Sequence, residues 1–275
     1  PNWWIDKVSG RKEGVAARPF INDDGDVSFE VVTLPEDVSS DEFNPTSGTV
    51  SYGKAECLKC NVTIEQDEVR QSARDENLKE VIYAVEYRDD HTGDRGNFRS
   101  PNDDDYEIIN KIREKLSSDP ELFSFLREEV PVGLNTNQAR RYGLTEWRDM
   151  FAPRQIFAHH TFLDKFSQCK EEIYEEYDEP VAEVIMTYLT FAADKLLDYN
   201  SRMCAWAPSD AKIGHSFERA DYAFKWSFAE GNPLVEELGY TWALDSMVEV
   251  YEELRELSGH SDAEVSVLQD DAASL

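Results

Sequence analysis

The sequence is short of the features that mark membrane proteins, secreted proteins and self-contained enzymes. It has no uninterrupted apolar run of about 18 residues and no basic-then-apolar leader, so we expect neither a membrane span nor a signal peptide. It also has no glycine-rich phosphate or cofactor loop and no Gly-x-Ser-x-Gly nucleophile motif. Because it starts at Pro1 without a methionine and stops at Leu275 just after an apolar run, we expect an internal piece of a larger cytoplasmic protein.

Cysteine is scarce, with four in 275 residues. Cys57 and Cys60 lie close together, whereas Cys169 and Cys204 stand alone in stretches of helical periodicity, a distribution that indicates a reducing compartment. Cys57-Leu-Lys-Cys60 has the spacing of a zinc knuckle, in which a tight turn directs two thiolates at one tetrahedral ion. One knuckle is half a site. The pair is therefore either a zinc half-site completed by residues elsewhere or two unliganded thiols in a β-hairpin.

Basic residues are also few. The 28 Lys and Arg oppose 57 Asp and Glu, which gives a formal net charge of -29, and the carboxylates are spread along the whole length. Such a surface repels DNA in dilute buffer, but salt screens this repulsion to a range of about 3 Å at 1 M. We interpret the acidity as adaptation to the salty cytoplasm of a halophile, with an acidic partner-binding surface as the alternative. A nucleic-acid substrate is therefore not excluded.

Hydrophobic periodicity predicts an α+β fold in three parts. Residues 1–100 are expected to be β-rich, and residues 101–260 mostly helical. Residues 261–275 contain a short apolar run that we interpret as a strand whose sheet partners lie outside this sequence.

Within the β-rich part, β-branched and aromatic runs predict strands over Ser28–Leu34 and Val81–Tyr87. Turn-forming residues then join the second strand to Asn97, Phe98 and Arg99 as a hairpin. The stretch from Pro35 to Gly48 is rich in Asp, Ser and Pro and is interpreted as a loop.

The helical part begins near Asp103, where acidic residues occupy the expected first turn. Pro153 and Pro180 suit the first turns of two long helices. The second of these helices is apolar nearly all round, with a stripe of Ala182, Ile185, Leu189, Ala193 and Leu196, and this predicts a central, buried position.

Two polar segments of the helical part are candidates for ligand contact. Arg154 and Gln155 combine a bidentate donor and an amide near a helix N-terminus, a place that suits phosphate or base-edge contacts. The alternative is an ion pair of Arg154 with Asp149 or Glu146.

The second candidate is the segment from Trp226 to Pro233, which we expect to close a helix with its Gly and Pro. It presents two aromatic side chains beside Glu230 and Asn232, a combination that can stack on a base and read its edge. The alternative is that the aromatic residues pack in the core.

Several motifs occur in an order that is similar to one known family. They are Trp3-Trp4 with Arg18-Pro19, Gly48-Thr49-Val50 leading to Cys57 and Cys60, Tyr142-Gly143, Trp147, Met150 to Gln155, Asp198 to Ser201, Trp206, and Trp226 to Pro233. Together they resemble the middle section of the adenine-specific DNA methylases that contain a zinc ribbon. The likeness is strongest from Tyr142 to Pro233. It implies that residues 1–100 are a zinc-ribbon-like region, that residues 101–260 are a candidate DNA-contact insertion, and that residues 261–275 contain one strand of an otherwise absent α/β catalytic sheet.

The resemblance implies methyl transfer from S-adenosylmethionine to N6 of adenine in DNA, on a base taken out of the duplex. In that family a glycine-containing cofactor loop precedes this region and a catalytic Asp-Pro-Pro-Tyr motif follows it. Neither occurs here, so the chain is expected to carry no catalytic residue and to be inactive alone. The residues it suggests for DNA or target-base contact are Arg154, Gln155, Trp226 and Asn232, and those it suggests for zinc are Cys57 and Cys60.

The chain departs from the family at the knuckle, where Leu58 and Asn61 replace the usual Pro and Gly, and the second Cys pair of the ribbon would lie before Pro1. Expected partners are DNA and the proteins of a restriction or phage-defence system. The competing hypothesis is a non-enzymatic zinc-ribbon and helical module that binds DNA or a partner protein.

Overall fold

A computed structural model describes residues 2–7, 12–35, 43–76, 78–88, 96–119, 126–218, 222 and 224–259. It is a mixed α and β structure with several small antiparallel sheets and six helices in the described part, which agrees with the expected α+β class. The interpretation of residues 261–275 as a catalytic strand falls outside the described residues.

The first sheet has the order β1-β2-β3, with strands Trp4–Asp6, Glu13–Ile21 and Val27–Pro35. β3 confirms the strand predicted over Ser28–Leu34. β2 and β3 pair from Glu13↔Pro35 to Ile21↔Val27, and a turn with Gly25 at φ +85° joins them. The buried hydrophobic side chains of this sheet are Trp4, Ile5, Ala16 and Ala17.

The second sheet is a meander of three short strands, β4 (Val50–Ser51), β5 (Lys54–Glu56) and β6 (Thr63–Ile64). Tyr52 and Gly53 both have positive φ, as a two-residue hairpin turn requires. Helix α1 (Gln66–Arg74) follows at once and packs Val69 and Ala73 against Ala55, Ile64 and Tyr142. The Cys57–Cys60 turn lies between β5 and β6.

The predicted hairpin after residue 80 is confirmed in a shorter form. Strands β7 (Val85–Tyr87) and β8 (Asn97–Arg99) pair antiparallel, whereas residues 81–84 have no regular structure. The turn residues 89–95 and residues 36–42 of the predicted loop lie outside the described part.

Helix α2 (Asp103–Ser118) begins where the sequence predicts. The Asn102 side chain accepts a hydrogen bond from the Asp105 backbone N–H, and the Asp105 carboxylate accepts one in return, which is a capping box. Arg99 forms a bidentate pair with Asp105 at 2.7 and 2.8 Å, holds the pKa of that carboxyl below its usual range, and so ties β8 to the helix.

The remaining helices are α3 (Asn137–Arg140), a 3-10 turn at Trp147–Met150, α4 (Pro153–Glu176), α5 (Glu179–Tyr199) and α6 (Tyr240–Ser258). Pro153 and Pro180 occupy first turns, as predicted. α5 and α6 pack through Ala192, Leu196 and Ala243. None of the helices in the described part has the length and apolar character needed to cross a membrane.

The predicted burial of α5 on all sides is wrong. Only one side of the helix is buried, because α4 and α6 pack on adjacent faces and leave Val184 and Phe191 each 52% exposed. The buried positions are Ala182, Met186, Ala192 and Leu196.

The helix expected before Pro233 is also absent. Residues 200–239 contain the short pair β9 (Trp206–Ala207) and β10 (Lys212–Ile213) but no helix in their described part. The Trp206 indole N–H donates to Ile5 O at 2.5 Å, and Lys7 N–H donates to Pro208 O at 2.8 Å. This irregular region therefore joins the first sheet to the helical part.

Gly143 provides a test of the contact between α1 and the turn after α3. Its φ is +83°, and a Cβ there would lie 3.0 Å from Ala73 O, so Gly143→Ala should lower the free energy of unfolding through both strain and a clash. Gly96→Ala is the matched control, because its φ is +75° and no atom of the described residues lies within 4 Å of the added Cβ. Urea unfolding should show a loss of about 1 kcal/mol for the control and a clearly larger loss for Gly143→Ala. Equal losses would contradict the close packing.

Candidate nucleic-acid interface

The candidate interface centres on an irregular stretch, the 224–233 loop. Two contacts hold it: Ala229 N–H donates to Cys204 O at 2.8 Å, and the Glu230 carboxylate pairs with Arg154 in the first turn of α4. The beginning of the loop packs on Tyr142 through Phe224 and Trp226. Two of the segments singled out in the sequence, around residues 154 and 226, therefore meet in space.

Arg154 is engaged in an ion pair, but not with the expected partners. Its Nε and Nη2 donate to the two carboxylate oxygens of Glu230 at 2.8 and 2.6 Å, and both side chains are partly buried. Glu146 pairs instead with Arg148 at 2.6 Å, and the Asp149 carboxylate accepts the backbone N–H groups of residues 145 and 146. Arg154 thus connects α4 to the loop, and this pairing of its guanidinium competes with any phosphate contact.

Gln155 is 1% exposed. Its Oε1 accepts a hydrogen bond from Ala152 N–H at 2.8 Å, and its Nε2 donates to Asn200 Oδ1 at 3.3 Å. The amide therefore caps the start of α4 and links it to the end of α5. We assign Gln155 a structural role, because its amide is not at the surface where DNA could reach it.

Asn232 and Trp226 are both exposed. Asn232 Oδ1 accepts the Leu234 N–H at 3.0 Å, so its carbonyl oxygen is used in a local turn. Trp226 is 36% exposed and makes edge contacts with Phe224 and Tyr142 at centroid distances of 5.1 and 5.8 Å. Trp226 is the predicted contact residue that presents a ring at the surface.

The Trp226 ring rests on a stacked pair that the sequence did not predict. Tyr142 and Phe224 stack at 4.3 Å with an interplanar angle of 14°, and the Arg70 guanidinium carbon lies 5.8 Å from the centre of the Tyr142 ring. Arg70 was missed because nothing in the sequence brings α1 and residue 142 together. The sequence feature that could have drawn attention to Arg70 is its spacing from Arg74, one helical turn later on α1.

Cys57 and Cys60 lie in the turn between β5 and β6. Asn61 N–H donates to Cys57 O at 2.8 Å, and Asn61 has a φ of +56°, the conformation that the usual Gly would take. Asn is among the few other residues that adopt it readily, so this departure from the family pattern costs little. Backbone N–H groups of Lys59 and Cys60 donate to the Cys57 sulfur and lower its pKa.

These two cysteines fit one half of a tetrahedral zinc site. Thiolates stabilised by backbone N–H groups in a tight turn are the donor set that zinc prefers. In the described part of the chain no third His, Cys, Asp or Glu joins them. Zinc binding therefore stays a prediction that requires further ligands.

The His159-His160 pair divides into one packed and one partly exposed residue. His159 packs against Phe151, its Nε2 lies 2.9 Å from Asn200 O, and burial lowers its pKa. His160 Nδ1 lies 3.6 Å from Asp164, one helical turn on. His159 holds α4 against the end of α5.

No protein-family model, curated protein or solved structure matches this chain.

The Arg154–Glu230 pair should couple strongly in unfolding measurements. Arg154→Gln and Glu230→Gln should each lower the free energy of unfolding by roughly 1 to 3 kcal/mol, because each leaves one partly buried charge without its partner. The double variant should lose less than the sum of the two. As a control, the exposed Glu107–Lys111 pair on α2 should show a coupling of only about 0.3 to 0.5 kcal/mol. Additive losses of stability in the Arg154 and Glu230 variants would contradict a direct interaction between these two side chains.

His159 should make stability fall on mild acidification. Its folded pKa lies below the ordinary 6.5, so the unfolded chain binds the proton more tightly and the free energy of unfolding drops as the pH falls below about 6.5. His159→Gln, which keeps a donor to Asn200 O, should lose less stability over the same interval, while the carboxylate contribution cancels between the two proteins. NMR titration of the imidazole gives the direct check. A His159 pKa at or above its ordinary value would contradict the assignment.

Proposed function

We propose that this chain is the central, non-catalytic segment of an S-adenosylmethionine-dependent DNA adenine-N6 methyltransferase, and that it contributes DNA contact rather than chemistry. The proposal starts from the family resemblance. One structural observation supports it most: the segments that carry the resemblance, although far apart in the sequence, pack on one another.

The convergence involves four of those segments. Arg154 reaches Glu230 across 76 residues, Gln155 reaches Asn200 across 45, and Trp226 lies on Tyr142. Arg202 N–H also donates to Met150 O at 2.8 Å. Motifs that occur in a fixed order and also share one packed unit are expected of a functional scaffold rather than of chance short matches.

The proposed division of labour follows from what the chain presents. A methyltransferase must hold an adenine outside the stack, which costs unstacking and unpairing energy. An exposed indole beside cationic side chains can hold DNA and offset part of that cost by stacking. Sequence outside this chain would supply the cofactor site and the catalytic motif. We assign no residue of this chain to S-adenosylmethionine.

Zinc has a structural part in this proposal. Cys57 and Cys60 would supply two thiolates, and the missing ligands would come from outside the described residues. The ion would then fix the β4–β6 meander on which α1 packs. α1 carries Arg70, so the metal would act on the interface through the position of that helix.

The acidic surface is consistent with DNA as a substrate if the protein works in concentrated salt. With 57 carboxylates against 28 basic residues, long-range repulsion of DNA must be screened before short-range contacts can form. We therefore propose a halophilic cytoplasmic setting, with restriction or phage-defence proteins as possible partners.

Methyl transfer by the whole protein that contains this chain is the deciding measurement. With tritiated S-adenosylmethionine and unmethylated DNA, the whole protein should label adenine N6, and residues 1 to 275 alone should transfer no label. Trp226→Ala in the whole protein should raise KM for DNA. The enzyme assignment would be wrong if the folded whole protein transferred no label over a wide range of salt concentrations.

The competing function is a non-enzymatic module that binds DNA or a partner protein. The exposed Trp226 favours it as much as it favours the methyltransferase, because binding through an exposed ring requires no catalytic neighbour. The same assay separates the two, since a module without catalytic activity would transfer no label at any salt concentration, including those at which it binds DNA.

A further inference from the structure

A surface on the described part of the chain collects arginine and tryptophan in a protein where carboxylates dominate. We call it the arginine–tryptophan face and define it as Arg70, Arg74, Arg141, Tyr142 and Trp226. Of these residues, the sequence analysis had considered only Tyr142 and Trp226. The face is formed by α1, the turn that follows α3, and the start of the 224–233 loop.

The three arginines are brought together by the packing of α1 on that turn. Arg70 and Arg74 lie one helical turn apart, and Arg74 Nη1 donates to Arg141 O at 3.2 Å. The backbone at Gly143 is so close to α1 that a Cβ would lie 3.3 Å from the Arg74 Cα. Backbone packing therefore sets the positions from which these three side chains extend.

The charge of the arginine–tryptophan face is only weakly compensated. Arg74 and Arg141 form no ion pair with any described residue, whereas Arg99 and Arg154 each form a short bidentate pair. The Arg70–Asp67 contact is 3.8 Å long, and the Asp67 side chain is 97% exposed. Arg70 Nε is enclosed by the described residues, so it is not a donor for an anion in solvent. Arg74 and Arg141 are exposed, and their guanidinium groups carry donors that an added anion can reach.

The aromatic part of the face is held rigidly and is partly open. Tyr142 is 9% exposed and is fixed between the Arg70 guanidinium and the Phe224 ring. Trp226 lies nearly perpendicular to both rings of that stack and is 36% exposed, so the exposed part of its indole is available to another planar group. Its orientation is set by two ring contacts, which lowers the entropy lost on binding.

We propose that the arginine–tryptophan face binds unstacked nucleotides of single-stranded or locally opened DNA, with phosphates on Arg70, Arg74 and Arg141 and a base stacked on Trp226. This inference rests on the proposed function for its biological context, but not for its geometry. Every base has a planar face, so stacking needs no particular sequence, and guanidinium forks match phosphate oxygens. A base inside a duplex is stacked on both faces and cannot reach the indole.

Binding by the full chain should depend on the bases as well as on the phosphates. Fluorescence anisotropy would compare a labelled short oligodeoxyadenylate with an abasic strand of the same length and with a duplex. We expect the base-containing single strand to bind about tenfold more tightly than the abasic strand, the order of one stacked base. The duplex should bind more weakly than the single strand.

Substitutions separate the two contributions. Trp226→Ala should weaken binding of the oligodeoxyadenylate by about tenfold and leave the abasic strand unaffected, and Trp226→Phe should restore part of the loss. Arg70→Gln combined with Arg74→Gln and Arg141→Gln should weaken binding of both strands and reduce the salt slope of log Kd by about 2, at roughly 0.7 per phosphate lost. Arg74→Gln with Arg141→Gln alone leaves the Arg70–Tyr142 contact in place and should give about two thirds of that reduction.

Two matched controls lie away from the face. Arg113→Gln removes an exposed arginine of α2, and Tyr251→Ala removes an exposed aromatic ring of α6. Both should bind the oligodeoxyadenylate as the unaltered chain does. Urea unfolding of each variant shows that the comparison is made between folded proteins.

Several outcomes would overturn the inference. They are equal affinity for the abasic strand, tighter binding of the duplex, an unchanged Kd in the arginine variants, and displacement of the oligodeoxyadenylate by a glutamate polymer at equal charge concentration. The last would mark the face as a site for an acidic peptide. If the whole protein transfers methyl groups but the face variants keep their affinity for DNA, the inferred binding face is wrong and the proposed methyltransferase function stands. If the chain binds DNA in a base-dependent way but the whole protein transfers no methyl group, the binding face stands and the proposed function is wrong.

Discussion

The placement of the 224–233 loop depends on one ion pair, that of Arg154 with Glu230. Residues 200–239 contain no helix in their described part and only two short strands, so a backbone ladder cannot hold most of this stretch. Near the 224–233 loop, Arg154 and Glu230 form two charge-assisted hydrogen bonds that connect the first turn of α4 to the loop. Because α4 is itself capped by Gln155 and tied through it to Asn200, the position of the loop follows from the start of one helix and the end of another.

The same pair has an electrostatic consequence for the neighbouring surface. A free carboxylate four residues after Trp226 would repel any phosphate approaching the indole, and the paired Arg154 offsets that charge at a distance below 3 Å. Arg154 therefore need not contact DNA to be important for contact with it. Its role is to place and to neutralise the loop, while the cations of the arginine–tryptophan face remain outside the pair. This assignment differs from direct contact, which the helix N-terminus had suggested.

Local features were predictable because their causes are local. Pro153 and Pro180 in first turns, the start of α2 at Asp103, and the strand Val27–Pro35 all follow from residues within one turn or one strand. The partner of Arg154 was not predictable, since nearby Asp149 and Glu146 offer the same chemistry as Glu230 at 76 residues' separation. Burial of α5 was misjudged because periodicity gives the composition of each helix face but not how many neighbouring elements cover it, and Val184 and Phe191 are each 52% exposed. The arginine–tryptophan face needed the tertiary contact of α1 with Tyr142.

The acidity of the chain also bears on which contacts can carry binding. In concentrated salt the field of the distant carboxylates is screened within about 3 Å, and so is the attraction of a basic patch for a phosphate at a distance. Counterion release also contributes less to phosphate binding as salt rises. Stacking of a base on an aromatic ring does not depend on charge in this way. A chain with a net charge of -29 that meets nucleic acid in such a medium should therefore derive its affinity from close contact, and a rigid, partly exposed Trp226 beside a few fixed arginines supplies that kind of contact.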